Sequence, residues 1–338
     1  MKHFLAFLHA FALSATIAPF ALAEQVSVTA ASPLKTAYQL QKATTVVLDN
    51  SIGNIKVAEV DGNVVTIEGE YRGQKPVKVT FGESELGKFK LAVEYPDGGV
   101  GGGSISVNNG SVNISGITSR GSIVISGGGS VVINGQRITA GQGGSISVGD
   151  EPLHLRVGIP KHLLAHLKLD TTSGDLSVKG PFHSAEESTR KVLLKSISGN
   201  IGCESLCTLG DLTVESTSGD VLLHTIRTTA GTIKTVSGDI RLADVNGNLD
   251  VRATSGDVQS ENGAGDIRIG TVSGDVRVRN RTQGLISSKT TSGDIRYSNP
   301  DQSAREEAKT VSGDISGMKK CTEALSGKKS DGDDPFKF

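Results

Sequence analysis

Tryptophan is absent from this 338-residue chain, and aromatic residues make up only 4% of it. So few rings cannot fill a bulky globular core or line a sugar-stacking cleft, but thin stacked sheets of Val, Ile and Leu need none. No sign of charge dominates, since 35 basic residues stand against 36 acidic ones. Nothing in that balance suggests nucleic acid, which favours a concentrated basic face. Cysteine is scarce and odd in number, at Cys203, Cys207 and Cys321, so at least one is unpaired within the chain or pairs with another molecule. No His or second Cys pair stands at zinc spacing. No Gly-x-Ser-x-Gly elbow, phosphate loop or other cofactor motif is present.

The N-terminus has the layout of an export signal. Lys2 and His3 precede an apolar stretch from Phe4 to Phe20, and Ala21-Leu22-Ala23 supplies the small-x-small cleavage pattern. Cleavage before Glu24 is expected, which leaves no membrane-spanning segment, because no later apolar run could cross a bilayer as a helix. Export implies an oxidising compartment, the periplasm or the cell surface. There Cys203 and Cys207 form a candidate disulfide across one turn. The alternative for Cys203 is a small buried hydrophobe, because it falls at an inward strand position.

What the chain does contain is a repeat. Ser-Gly-Asp, once Ser-Gly-Asn, recurs with its Ser at Ser173, Ser198, Ser218, Ser237, Ser255, Ser273, Ser292 and Ser312, at intervals of 25, 20, 19, 18, 18, 19 and 20 residues. A near-constant period of this length without helical patterning predicts stacked β coils. From Gly238 onward the chain divides into nine-residue lines, two per period. Their third column reads Ile240, Leu249, Val258, Ile267, Val276, Ile286 and Ile295; the fifth contains Leu242, Val251, Ile269 and Val278, with Ser260, Ser288 and Tyr297 as exceptions. Residues two apart share one face of a strand, so these columns point inward. The fourth column, with Arg241, Asp250, Gln259, Arg268, Arg277 and Arg296, points outward. The fold expected is an all-β, single-stranded β-solenoid with two short strands per 18–20-residue coil. Its turn residues Asp175, Asn200, Asp220, Asp239, Asp257, Asp275, Asp294 and Asp314 are structural, tolerating left-handed backbone and bonding their own main chain.

Five segments follow: a signal peptide at 1–23, an N-terminal β cap and first coil at 24–97, a Gly-rich insertion at 98–150, the regular solenoid at 151–318 and a mobile tail at 319–338. The insertion holds 16 glycines, yet Gly-Ser-Ile or Gly-Ser-Val recurs at Gly103, Gly110, Gly121, Gly129 and Gly144, which predicts short strands. The terminal Phe338 fits an outer-membrane barrel, but ten-residue lipid-facing strands are missing and a barrel is rejected.

The export signal, the early Gly53-Asn54-Ile55-Lys56-Val57, the apolar strand His154 to Pro160 and the Ser-Gly-Asp series resemble the bacterial putative-adhesin domain family, a group of envelope proteins of unknown function. The resemblance covers roughly residues 44–316. It implies a β-helical form and no catalytic residues.

Three constellations could carry chemistry. The stacked carboxylates could hold calcium, but calcium solenoids need Gly-Gly-x-Gly-x-Asp and here Asp follows a single Gly. The outward Arg241, Arg268, Arg277 and Arg296 could grip an acidic glycan. His154, His162 and His166 could form a metal or base site, against a packing role. No catalytic, cofactor-binding or metal residue is assigned. The chain reads as an exported, non-enzymatic adhesin-like interaction or scaffold module whose partner is an envelope protein or glycan. The alternative is a carbohydrate-active β-helix enzyme, a polysaccharide lyase or hydrolase.

Overall fold

The computed structural model describes residues 23–40, 45–73, 75–84, 87–96, 151–160, 166–180, 190–205, 210–299 and 304–317, together with the backbone of six strands between 104 and 148. The expected signal peptide, the tail and Cys207, Cys321 and His162 lie outside the described residues. Among the described residues every element is a β-strand; 22 of these strands join one continuous sheet system, and the six strands of the Gly-rich segment form separate two- and four-stranded sheets.

Each coil lays one strand in each of two facing layers. The first layer stacks His166–Ser173, Lys191–Ser198 and Asp211–Ser218, the second halves of Val221–Ser237 and Ile240–Ser255, then Ile267–Ser273, Leu285–Ser292 and Arg305–Ser312, all parallel. The second layer stacks Leu176–Lys179 and Ile201–Glu204, the first halves of the same two long strands, then Val258–Ala264, Val276–Thr282, Ile295–Ser298 and Ile315–Ser316. Ser-Gly-Asp forms the corner between them. The period-two alternation puts Ile240, Leu249, Val258, Ile267, Val276, Ile286 and Ile295 inside, each at most 4% exposed. Each such aliphatic contributes on the order of 1.5–3 kcal/mol. The two layers share one hydrophobic cluster, so each coil is stabilised by its neighbours above and below.

The interior exceptions compensate one another. Arg281 is fully buried and occupies the column of Ile226 and Val245. Its guanidinium enters the space left by Gly263 and Ser260, and donates to the carbonyls of Val245, Ala264 and Gly265 at 3.1–3.2 Å and to Ser260 Oγ at 3.4 Å. Burial pulls its pKa down to about 10. Tyr297 likewise stands beside Ser288, so the small residues in the fifth column make room for large polar ones.

At the N-terminal end, chain order and spatial order diverge. The first coil, Thr45–Asn50 and Ile55–Val60, pairs with His166–Ser173 and Leu176–Lys179 on one side. On its other side it pairs in parallel with Lys88–Glu94 and His154–Pro160. These two later strands form a coil behind the first. Antiparallel strands Val77–Glu83 and Glu24–Val28 finish one layer, and Val64–Glu70 and Leu34–Gln39 finish the other. The Gly-rich segment therefore joins the two strands of the rearmost coil, at the corner where later coils carry Ser-Gly-Asp. Tyr95 closes its stem: its hydroxyl donates to the Ile52 carbonyl and accepts from the Leu153 amide at 3.0 Å, while Asn50 Nδ2 donates to the Leu153 carbonyl at 2.7 Å.

Candidate functional site

The Ser-Gly-Asp edge is a ladder of main-chain and side-chain contacts between coils. The Oδ1 of each acid or amide accepts the amide of its counterpart in the next coil. The series runs Asn54 to Asp175, Asn200, Asp220, Asp239, Asp257, Asp275, Asp294 and Asp314, with every N–O distance between 2.9 and 3.0 Å. His154 opens it, since its Nδ1 accepts the Asn54 amide at 3.2 Å. These side chains bond the neighbouring coil, where the sequence suggested their own main chain, because parallel stacking sets the next coil's amide within hydrogen-bond reach.

The glycine has a different role from the expected one as well. Gly199, Gly219, Gly238, Gly256, Gly274 and Gly293 do not have positive φ; an added Cβ would land on the carbonyl of the preceding coil's glycine. Close approach, and not a left-handed backbone, selects glycine there. Left-handed residues gather instead at the opposite corner, in the stacked series Ser205, Thr225, Asp244, Asn262 and Asn280, with φ between 48° and 57°. Short polar side chains tolerate this region best.

Carboxylates stacked one coil apart, about 4.8 Å, must be separated or neutralised, and the edge does both. In its first part the uncharged His154, Asn54 and Asn200 leave only Asp175 and Asp220 as carboxylates. From Asp239 on, every member is an acid, and arginines bind the second oxygens as far as Asp294. Arg241 reaches Asp239 at 3.4 Å, Arg277 reaches Asp257 and Asp275 at 3.1 and 2.8 Å, and Arg296 reaches Asp294 at 2.6 Å. No group of three metal-ligating side chains occurs among the described residues.

The arginine stripe read from the sequence is split by the fold. Arg241, Arg277 and Arg296 lie on the second layer, and Arg268 lies on the first, because successive nine-residue lines enter opposite layers. The two described histidines of the trio, His154 and His166, do not converge either. His154 serves the ladder, while His166 Nδ1 accepts the Lys191 amide at 3.1 Å. Cys203 is a free, buried thiol in the column of Val178 and Leu223, and desolvation pushes its pKa up to about 12.

The outer face of the first layer was not legible as a site. Beside the Ser column runs Thr172, Ile197, Thr217, Val236, Thr254, Val272, Thr291 and Val311, alternating threonine and aliphatic coil by coil. Its aliphatic members are 47–75% exposed. The next outward column contains Lys195, Glu215, Lys234, Arg252, Lys289 and Lys309.

Together these features define an all-β solenoid whose corners are cross-linked by an Asp/Asn ladder. The chain belongs to the Toastrack DUF4097 family, whose model matches residues 77–334; the family resemblance holds, with the match beginning at residue 77 where the sequence reading began at 44. Similar solved structures include a putative adhesin from Bacteroides fragilis NCTC 9343, at 10% identity, with 85% of this chain and 98% of that one covered and a TM-score of 0.41. Another is a putative cell adhesion protein from Clostridium sporogenes ATCC 15579, at 9% identity, with 84% and 97% covered and a TM-score of 0.26. The search of curated proteins finds no match.

Proposed function

We propose that the protein is an exported, non-enzymatic β-solenoid that acts as an adhesin-like interaction or scaffold module of the bacterial envelope. One observation carries this reading. The carboxylates that dominate the repeat are committed to the fold: up to Asp294 their Oδ1 atoms hold the next coil, and from Asp239 to Asp294 arginines hold Oδ2 atoms. Glycosidic cleavage requires an acid and a base free to exchange protons with a substrate. A ladder acid that let go of its amide would loosen two coils. The long faces instead supply repeated contact area.

The test is to incubate the mature chain, residues 24–338, with envelope and plant polysaccharides and measure new chain ends, alongside cell fractionation. Intact polymers, with the protein in the periplasm or at the surface, are expected. Turnover that disappears on replacing one carboxylate would establish the carbohydrate-active enzyme instead. Recovery of the full-length precursor in the cytoplasm would overturn the envelope assignment.

A further inference from the structure

Charge is distributed unevenly along the outer face of the first layer. In the coils of His166–Ser173, Lys191–Ser198 and Asp211–Ser218 it is balanced pair by pair. Lys168 meets Asp170 at 3.8 Å, Lys191 meets Asp211 at 3.6 Å and Lys195 meets Glu215 at 3.8 Å. In the coils that follow, the outward positions of this layer carry Lys234, Arg252, Arg268, Lys289, Arg305 and Lys309 against Asp250, Asp266 and Glu307. Asp250 is bound by Arg252 at 2.9 Å and Glu307 by Arg305 at 3.7 Å, while Asp266 Oδ1 accepts the Leu285 amide at 2.8 Å. Among the described residues, Lys234, Arg268 and Lys309 have no carboxylate partner, and all three are exposed.

Parallel register sets Lys234, Arg252, Lys289 and Lys309 in one straight column along the solenoid axis. Gly270 stands at the rung between Arg252 and Lys289, with open space where its side chain would be. Val236, Val272 and Val311 expose their methyl groups in the adjacent column. The surface is a strip with cations at four of five successive rungs, edged by a partly apolar column.

We propose that this strip binds an extended acidic polysaccharide, a polyuronate, running along the solenoid axis. The proposal rests on the interaction-module reading and names its ligand class. A carboxylate on each sugar matches a line of cations at rung spacing, and the valines offer an apolar edge to the C–H faces of the rings. Two other polyanionic partners fit less well. Membrane binding uses Trp, Phe or Leu as inserting groups, whereas the exposed apolar groups of this strip are short and branched. Single-stranded nucleic acid is held by aromatic stacking, and no aromatic residue lies at the outward positions of these coils.

The test measures binding of the mature chain to polygalacturonate and to neutral dextran at several salt concentrations. Lys234→Glu/Arg268→Glu/Lys309→Glu breaks no ion pair, so circular dichroism should be unchanged. Polygalacturonate binding should fall by roughly tenfold or more at low salt, because three attractive charges become repulsive. Lys78→Glu/Lys88→Glu/Lys90→Glu makes the same charge change in the cap strands and should leave binding nearly intact. The proposal is overturned if wild type binds dextran equally well, if both triple variants lose equal affinity, or if single-stranded DNA or anionic vesicles are preferred to polygalacturonate. Each of those results leaves the interaction-module reading standing. Depolymerisation of the polygalacturonate would sink that reading itself.

Discussion

Gly256→Ala tests the corner directly. The new Cβ would fall on the Gly238 carbonyl oxygen, 2.7 Å from its carbon and 3.4 Å from the Asp239 nitrogen. All of these are backbone atoms held in a ladder, so no flexible side chain can yield. Relief requires the two coils to separate locally, which strains the bond from the Asp257 amide to Asp239 Oδ1 at 3.0 Å and that from the Ile240 amide to the Asp257 carbonyl at 2.9 Å. Overpacking costs about 1–3 kcal/mol, and each weakened hydrogen bond about 1 kcal/mol more. The total expected is roughly 3–5 kcal/mol. Gly270→Ala is the matched control: it lies one coil away on an outward position, and nothing stands within 4 Å of its added Cβ. It should be neutral or stabilising by about 0.5–1 kcal/mol, because alanine restricts the unfolded chain. Urea denaturation followed by circular dichroism compares the two. Because a solenoid is held by nearest-neighbour interfaces, Gly256→Ala should also split unfolding into two steps. If Gly256→Ala unfolds within 0.5 kcal/mol of Gly270→Ala, close approach does not explain the glycine of the repeat.

Three more outcomes are expected. Asp257→Asn retains the Oδ1 acceptor and should cost less than about 1 kcal/mol, whereas Asp257→Ala removes it and should cost about 1–2 kcal/mol; equal urea midpoints would count against the ladder. Cys203, with its folded pKa near 12 against an ordinary value of 9.0, should resist iodoacetamide in native protein and react on unfolding, as read by mass spectrometry. The sign of its linkage follows: the stability it contributes is fully present below about pH 9 and is lost as pH rises toward 12, so alkaline melts of Cys203→Ser should fall less steeply than those of wild type. Finally, replacing residues 97–150 with a short Gly-Ser linker should leave the solenoid folded, because Tyr95, Asn50 and Leu153 already hold the two stems together; loss of the cooperative melt would show that the segment belongs to the core.

The sequence by itself determined the periodic part of this protein. Spacing of Ser-Gly-Asp set the coil length, and two-residue alternation set which side chains turn inward, as at Ile240, Leu249 and Ile267. Both are local properties of an extended backbone, repeated until they are unmistakable. Tertiary structure alone decided which coils are neighbours. Alternation cannot say that Lys88–Glu94 and His154–Pro160 stack behind Thr45–Asn50 and Ile55–Val60, because parallel pairing places no mark on either strand. It cannot say that Arg268 faces away from Arg277, because an outward residue reads the same from either layer. Nor does it reveal that Arg281 lies inside, since the room for its guanidinium comes from Gly263 and Ser260 in the preceding coil. The roles of the corner Gly and Asp belong to the same class: each is set by the backbone one coil away, a distance of 18 to 25 residues along the chain but about 4.8 Å through space.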